Sequence, residues 1–456
     1  WAEHGYVCLE YDTRGWWKST GEIGTAGPLD RQDASSIIDY AQSMGLDWQI
    51  DETKIAFAGI SYGAGIALQM AGYDDRVTTA VSMSGWSNLT QALYGYQTPD
   101  KVWGDILMLL ADVAGHPNPQ LAELLDDLFK HKNISAVSEF ANARGAAMFL
   151  KEINARKVPV FISNNYADML FHPEDMGRFW TELEGDKFLM LNHGGHAEAE
   201  LGGLFDLGKN QVWINAKRWV DQVLKGIDTG ILSGPKVVFQ NGEKGPYEQF
   251  STYPPTNSSV NYQNYYFVNR GDSTFGKLSS TPIQAERKNQ NKQQQLVLTQ
   301  NNKKAPGALR APELDHIIYM SDTGMTQGIP LISNYLLPLV RPTKELVLVN
   351  RDGAVVYMTD KFEKDETLCG TPSYNIQFLP NSPTWQAFGY IYIVDELDIG
   401  TLWTTSYFTH YESGPPSPGH RLWHVPYHLH QDSGWLPRCC WICPLQRRIH
   451  RCQHPP

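Results

Sequence analysis

Cysteine is scarce in this chain of 456 residues. There are 6, and the first 438 positions hold only Cys8 and Cys369. That excludes a disulfide framework. Positive charge is also short. Lys and Arg number 38 against 49 Asp and Glu, for a net charge of −11. With no basic face in view, a partner gripped by its phosphates is excluded, so nucleic acid is set aside. No apolar run reaches about 18 residues, so no membrane span is expected. No internal repeat is visible. The chain opens at Trp1 rather than Met, and no targeting signal or compartment is legible. What remains is an ordinary globular composition, 42% hydrophobic and 19% charged, long enough for two or three domains.

Along the chain, "YVCLEYD" (Tyr6–Asp12) reads as a short buried strand and "TRGWWKSTGE" as a loop. "DRQDASSIIDYAQSMG" has helical spacing, "KIAFAG" reads as a buried strand, "AGIALQMAG" as a helix and "VTTAVSMSG" as a strand. This alternation predicts a mostly parallel sheet with helices on both faces. From Gln97 to Gly145 the strand signals stop and amphipathic helices take over, a helical cap inserted at 97–150. The α/β rhythm resumes through "KVPVFISNNYAD", "PEDMGRFWTEL", "KFLMLNHGGH" and "NQVWINAKRWVDQVLKG". After Lys225 short β-rich runs such as "KVVFQ", "HIIYM", "AVVYMTD" and "GYIYIVD" alternate with turn residues, predicting an antiparallel sandwich. The expected plan is a catalytic α/β domain over 1–232, a β-sandwich over 233–412 and a tail over 413–456.

The stretch "FAGISYGAG" (Phe57–Gly65) sets Ser61 in G-x-S-x-G between a strand and a helix. That is the context of a nucleophile elbow, in which a serine sits on strained backbone and the helix start supplies free N–H groups for an oxyanion. Close packing is expected to leave no room for side chains at Gly59 and Gly63. A serine hydroxyl needs a His base, and the base needs an acid to orient it. Asp168 follows "VPVFIS" and His196 follows "KFLML", each past a predicted strand and in the chain order Ser, Asp, His. Each has rivals. Asp175 falls in a predicted helix. His193 competes with His196, which is preferred because two glycines give its loop reach. His172 reads as a surface or supporting residue, and Asp12 and Arg14 read as loop ties. Trp86 and Trp103 are candidate substrate-pocket walls that could equally be core.

Taken together, "YDTRGWWKSTGE", "GISYGAG", "VPVFISNNYAD", "NHGGHAEAE" and "WVDQVLKGIDTG" resemble the X-prolyl dipeptidyl-peptidase and cocaine-esterase-like group of α/β-hydrolases. The stretch from "VVYMTDKFEKDETLCG" to "LDIGTLWTT" resembles that group's C-terminal jelly roll. The resemblance implies an α/β-hydrolase fold with a helical cap and a jelly-roll-like second domain. It implies a Ser61–Asp168–His196 triad, an oxyanion donor in the Tyr62 backbone N–H, and no metal or organic cofactor. It also implies a second oxyanion donor on a loop ahead of Trp1, so that the stretch in hand carries one donor of the two.

The tail departs from that pattern. In Gly419–Pro456 lie 4 of the 6 Cys and 6 of the 14 His. It shows no alternating strand pattern. Cys440, Cys443, Cys452 and His454 have zinc-site spacing, but a shifted reading frame near Ser413–Gly419 accounts better for the abrupt change. The expected activity is therefore a serine hydrolase acting on a small peptide or ester substrate, X-Pro dipeptidyl-peptidase-like, with a carboxylesterase or acylase as the alternative. In the peptidase case Asp105 or Glu123 could hold a free amine. A reading of another class is an inactive fragment whose sandwich only binds a partner or sugar. The oligomeric state is not legible.

Overall fold

The computed structural model describes residues 1–241, apart from 45–46, 48–49, 167 and 205–207, together with 245–255, 263–268, 275–281, 295–298, 314–318, 343–349, 354–362, 373–380, 384–411 and 423–428. The chain divides into two compact units, the first built mainly of Trp1–Thr256.

Apolar runs form the sheet of this first unit. The strands are β1 (Ile55–Ile60), β2 (Val77–Met83), β3 (Val160–Asn165), β4 (Lys187–Asn192), β5 (Val237–Gln240) and β6 (Tyr247–Phe250). They lie side by side in chain order. β1 to β5 run parallel, and β6 turns back antiparallel on β5. Every side chain of β3 is buried, as a parallel sheet covered on both faces requires. The boundary expected at 232/233 thus falls inside this unit. "KVVFQ" is too short an apolar run for its pattern to say which sheet it joins, and it pairs with β4.

The covering helices are α1 (Pro28–Ser43) and α2 (Tyr62–Tyr73) at the start of the unit. Between β2 and β3 come α3 (Leu89–Tyr94), α4 (Lys101–Ala114), α5 (Gln120–Phe129), α6 (Ile134–Asn142) and α7 (Leu150–Arg156). After β3 come α8 (Pro173–Glu182), α9 (Glu198–Gly202) and α10 (Gln211–Lys225). α10 opens with Asn210, whose side chain accepts from the N–H groups of Val212 and Trp213. It then buries Trp219 among Val81, Phe161 and Phe188. α4 to α6 form the inserted helical segment. α4 buries Trp103, Ile106 and Ala111, one stripe of a 3.6-residue period. Its end is tied to the first loop, where Trp17 N–H donates to Ala114 and His116 N–H to Gly15, both at 2.7 Å.

Tyr6–Asp12 is a correction. It forms no strand, and Val7 and Leu9 are exposed. A strand needs a ladder partner for its N–H and C=O groups. Among the described residues that segment has none, and β1 is the edge of the sheet.

The second unit is built of strands among its described residues, apart from one 3-10 turn at Leu346–Leu348. Its strands include β7 (Tyr266–Val268), β8 (Gly276–Ser279), β9 (Gln295–Leu298), β10 (Leu314–Ile318), β11 (Thr343–Glu345) and β12 (Tyr357–Thr359). β13 (Ser373–Pro380), β14 (Thr384–Val394), β15 (Ile399–Tyr411) and β16 (Trp423–His428) follow. β14 and β15 form a long antiparallel hairpin. Leu278, Leu346, Val356, Tyr392 and Val394 make a buried core. The pairing is not purely antiparallel as expected, since β9 pairs parallel with both β10 and β13. Alternation marks a strand but carries no information about the direction of its partner. The tail, read as lacking strands, contributes β16 to β13. Most of the polar loop Glu286–Gln295 lies outside the described residues, as do Cys440, Cys443, Cys452 and His454.

Candidate active site

The site is built at the carboxyl edge of the sheet, where each parallel strand hands over to a loop. β1 ends at Ile60, and α2 begins at Tyr62. Ser61 turns the corner alone, with φ 54° and ψ −113°. A non-glycine residue holds such backbone only where its surroundings over-determine it. Here the Ser61 N–H donates to the Met83 carbonyl at 2.9 Å, and the Ser61 carbonyl accepts from Ala64 and Gly65 at 2.9 and 3.1 Å. The glycines do not act as the motif suggested. A Cβ on Gly59 would lie 2.3 Å from the Gly63 carbonyl carbon, so Gly59 must be glycine. A Cβ on Gly63 meets nothing within 4 Å, which corrects the expectation for that position. The tight position on the helix side is Gly65, where a Cβ would lie 2.4 Å from the Trp86 ring.

Ser61, Asp168 and His196 come together across 135 residues of chain. Ser61 Oγ lies 2.8 Å from His196 Nε2, and His196 Nδ1 lies 2.8 Å from Asp168 Oδ2. Asp168 is buried, and its other oxygen accepts the Leu170 and Phe171 N–H groups at 2.9 Å each. Those two bonds fix the carboxylate while leaving Oδ2 for the imidazole. Burial alone pushes the His196 pKa down. The charge and hydrogen bond of Asp168, joined by the charge of Glu200, outweigh it, and the net shift is upward from 6.5. Such an arrangement can take a proton from a serine hydroxyl and hold the imidazolium that results.

Tyr62 occupies the first turn of α2, where backbone N–H groups have no helical acceptor. Its hydroxyl donates to Asp30 Oδ1 at 3.1 Å, and its ring meets Trp16 edge-on. Burial and the Asp30 charge push that phenol upward, so it stays protonated as a donor. Trp103 reaches from α4 to within 5.8 Å of the His196 ring. Trp86 is linked to the imidazole through a second ring. It packs at 4.6 Å on Phe171, which itself stands 5.1 Å from His196, and its indole N–H donates to the Arg144 carbonyl. Phe171 was missed in the sequence. The available signal was its position three residues past Asp168, within reach of a turn closed by the Asp side chain.

The rivals are held by other contacts or stand outside the relay's two hydrogen bonds. Asp175 is buried and accepts the Ser87 and Asn88 N–H groups and the Ser87 hydroxyl. His193 donates its backbone N–H to Gln240, and His172 is the buried residue preceding α8. Arg14 makes two 2.7 Å bonds to Asp33, and Asp12 offers its carbonyl to Ser19. Asp105 pairs with Lys101 on the surface, and Glu123 is exposed. Among the described residues no cluster of His, Cys, Asp or Glu could hold a metal, and no helix is long and apolar enough to cross a membrane.

The model of the family X-Pro dipeptidyl-peptidase (S15 family) matches residues 1–198. A polyketide transferase from Penicillium sp is 34% identical over 83 residues, 18% of this chain and 28% of that protein. The match thus spans less than a third of that relative's length. Among solved structures, a CocE/NonD family hydrolase from Staphylococcus aureus is similar with a TM-score of 0.56 at 13% identity, covering 94% of this chain and 66% of that one. An aminopeptidase from a marine sediment Thaumarchaeota archaeon gives 0.56 at 14%, covering 93% and 75%. An α-amino acid ester hydrolase gives 0.59 at 15%, again covering 93% and 75%. At such identities the structural likeness speaks for the fold, an α/β-hydrolase type with a mixed sheet. Over residues 1–198, then, the chain is similar to the X-Pro dipeptidyl-peptidase (S15) family.

Proposed function

We propose that this protein is a serine hydrolase that transfers an acyl group from a small amide or ester to water through an acyl-enzyme on Ser61. The observation that carries the reading is the unbroken relay Ser61–His196–Asp168, with both links at 2.8 Å. Ser61 Oγ attacks the carbonyl carbon while His196 Nε2 takes its proton. The carbonyl π electrons move to oxygen, and the Tyr62 N–H at the start of α2 donates to that oxyanion. Collapse expels the amine or alcohol, which receives the proton from His196. Water, deprotonated by the same imidazole, then releases the acid and restores Ser61. Asp168 keeps its charge throughout and holds the tautomer in which Nε2 can accept.

The family match over 1–198 supports X-Pro dipeptides as substrates. A specific observation favours the second reading, a carboxylesterase or acylase. Asp105 and Glu123, the acids that could hold a peptide amine, lie on the exposed face of the cap, whereas the rings next to His196 are Trp103 and Phe171. An apolar acyl group suits such walls. The strands of the second unit support a jelly-roll-like sandwich there.

A fluorophosphonate probe tests the chemistry. Labelling of the wild type that disappears in Ser61→Ala is expected, and a folded wild type that never labels leaves only the binding-module reading. Turnover of Gly-Pro-anilide against p-nitrophenyl butyrate then decides between peptide and ester.

A further inference from the structure

Behind His196 sits a carboxyl group that this chemistry does not use. Glu200, in α9, is completely buried. Its Oε1 accepts the Ser163 hydroxyl at 2.6 Å. Its Oε2 accepts the Ser84 hydroxyl at 3.0 Å and the Asn165 amide at 2.6 Å. Among the described residues it forms no ion pair, and its side-chain partners are all neutral. A lone buried carboxyl is costly, which asks for a reason.

The reason lies in what Ser84 accepts on its lone pairs while its hydroxyl proton goes to Glu200. Ser84 Oγ accepts the backbone N–H of Ala197 at 3.2 Å, the residue directly after His196. Asn165 also donates to it, at 2.8 Å. Ser84 has φ 51°, and Ala197 has φ 60° and ψ 11°. Both are non-glycine residues in left-handed backbone, a state that persists only when neighbours enforce it. Glu200 orients the Ser84 hydroxyl, Ser84 pins Ala197, and Ala197 sets where the imidazole stands.

We propose that Glu200 is a positioning residue for the base, a buried carboxylate that ties the His196 loop to the ends of β2 and β3 and keeps negative charge behind the imidazole. The inference rests on the serine-hydrolase reading. Burial pushes the Glu200 pKa upward on balance, and its Ser163, Asn165 and Ser84 donors, which favour the charged form, offset that only in part. The titratable groups that face this pair are few. Asp168 binds His196 Nδ1, and Tyr247 is pushed up to about 12 by burial and by the Glu200 charge. Glu198, the first residue of α9, accepts the Gly195 N–H. Removing the Glu200 charge therefore leaves the imidazolium less stabilised. His196 loses its proton at lower pH, and the acidic limb of the reaction moves toward acid.

The test is the rate of fluorophosphonate labelling against pH for the full chain as wild type, Glu200→Gln and Ser84→Ala, with thermal denaturation to show that each is folded. Glu200→Gln is expected to shift the midpoint down by about 0.5–1 pH unit. Ser84→Ala keeps the carboxylate but cuts the tie to Ala197. It is expected to label roughly tenfold more slowly with the midpoint held. Glu200→Gln labelling at an unshifted midpoint, at any rate, overturns the inference. If Glu200→Gln does not fold, Ser84→Ala carries the test, and a wild-type rate there overturns it. Wild type that is folded and does not label defeats the hydrolase reading itself, an outcome distinct from a labelling wild type with unshifted variants.

Discussion

The carboxyl edge of the sheet and the helical cap lie side by side in the first unit but are held by different physics. At the edge, backbone in rare conformations (Ser61, Ser84, Ala197) is locked by buried hydrogen bonds from several strands. In the cap, α4 buries Trp103, Ile106 and Ala111 and α5 buries Leu124 and Leu128, while ion pairs such as Lys101–Asp105 and Lys130–Asp126 face water. The edge is over-determined, so a small change there is felt at Ser61 and His196. The inserted helices carry fewer buried polar ties, so a change on their exposed face is expected to be felt less.

The sharpest way to probe that contrast is Asp168→Asn. It leaves the size of the side chain unchanged and favours the wrong tautomer of His196. A fall in kcat of about 10⁴-fold is expected, with little change in KM. Steady-state kinetics on whichever substrate is turned over decides this, and a loss under tenfold would remove Asp168 from the relay. The next effect is on stability. Gly59→Ala drives a methyl into the Gly63 backbone and is expected to cost about 1–3 kcal/mol, read from denaturant midpoints. Gly63→Ala meets open space at the start of a helix and is expected to be neutral or stabilising by up to about 1 kcal/mol. Equal damage from the two would contradict the packing described at the elbow.

Much of this edge could be read from residues alone, because apolar strands, turn glycines and chain order are local signals. Ser61, Asp168 and His196 each follow a short apolar run, and that is what made them visible. Gly65, Phe171 and Glu200 were not visible in that way. Gly65 matters only because Trp86 arrives from another strand's loop, and Glu200 only because Ser84 and Ser163 close around it. A Glu four residues past a His looks like any solvated helix residue until the fold buries it.

The cap should respond more mildly. Trp103→Ala removes the ring that stands 5.8 Å from His196 and is expected to raise KM about tenfold with kcat reduced only several-fold. A pure kcat loss would instead make Trp103 a support for the base. Lys101→Ala breaks an ion pair whose two side chains are 64% and 59% exposed, and is expected to change stability by about 0.3–0.5 kcal/mol, fading as salt is added. A loss above about 1.5 kcal/mol would mean that the cap is not held as described.

Sequence by itself determined the alternation of strand and helix, the strand–turn–helix corner at Ser61, and the order in which Asp168 and His196 follow it. Periodicity, glycine and chain order are properties of neighbouring residues, and they survive without knowledge of the fold. Only the tertiary structure decided that Tyr6–Asp12 stays out of the sheet, that "KVVFQ" joins β4, and that Glu200 is buried among Ser84, Ser163 and Asn165. Each of those depends on which partner comes within hydrogen-bonding distance, and a partner distant in the chain leaves no mark on the local pattern.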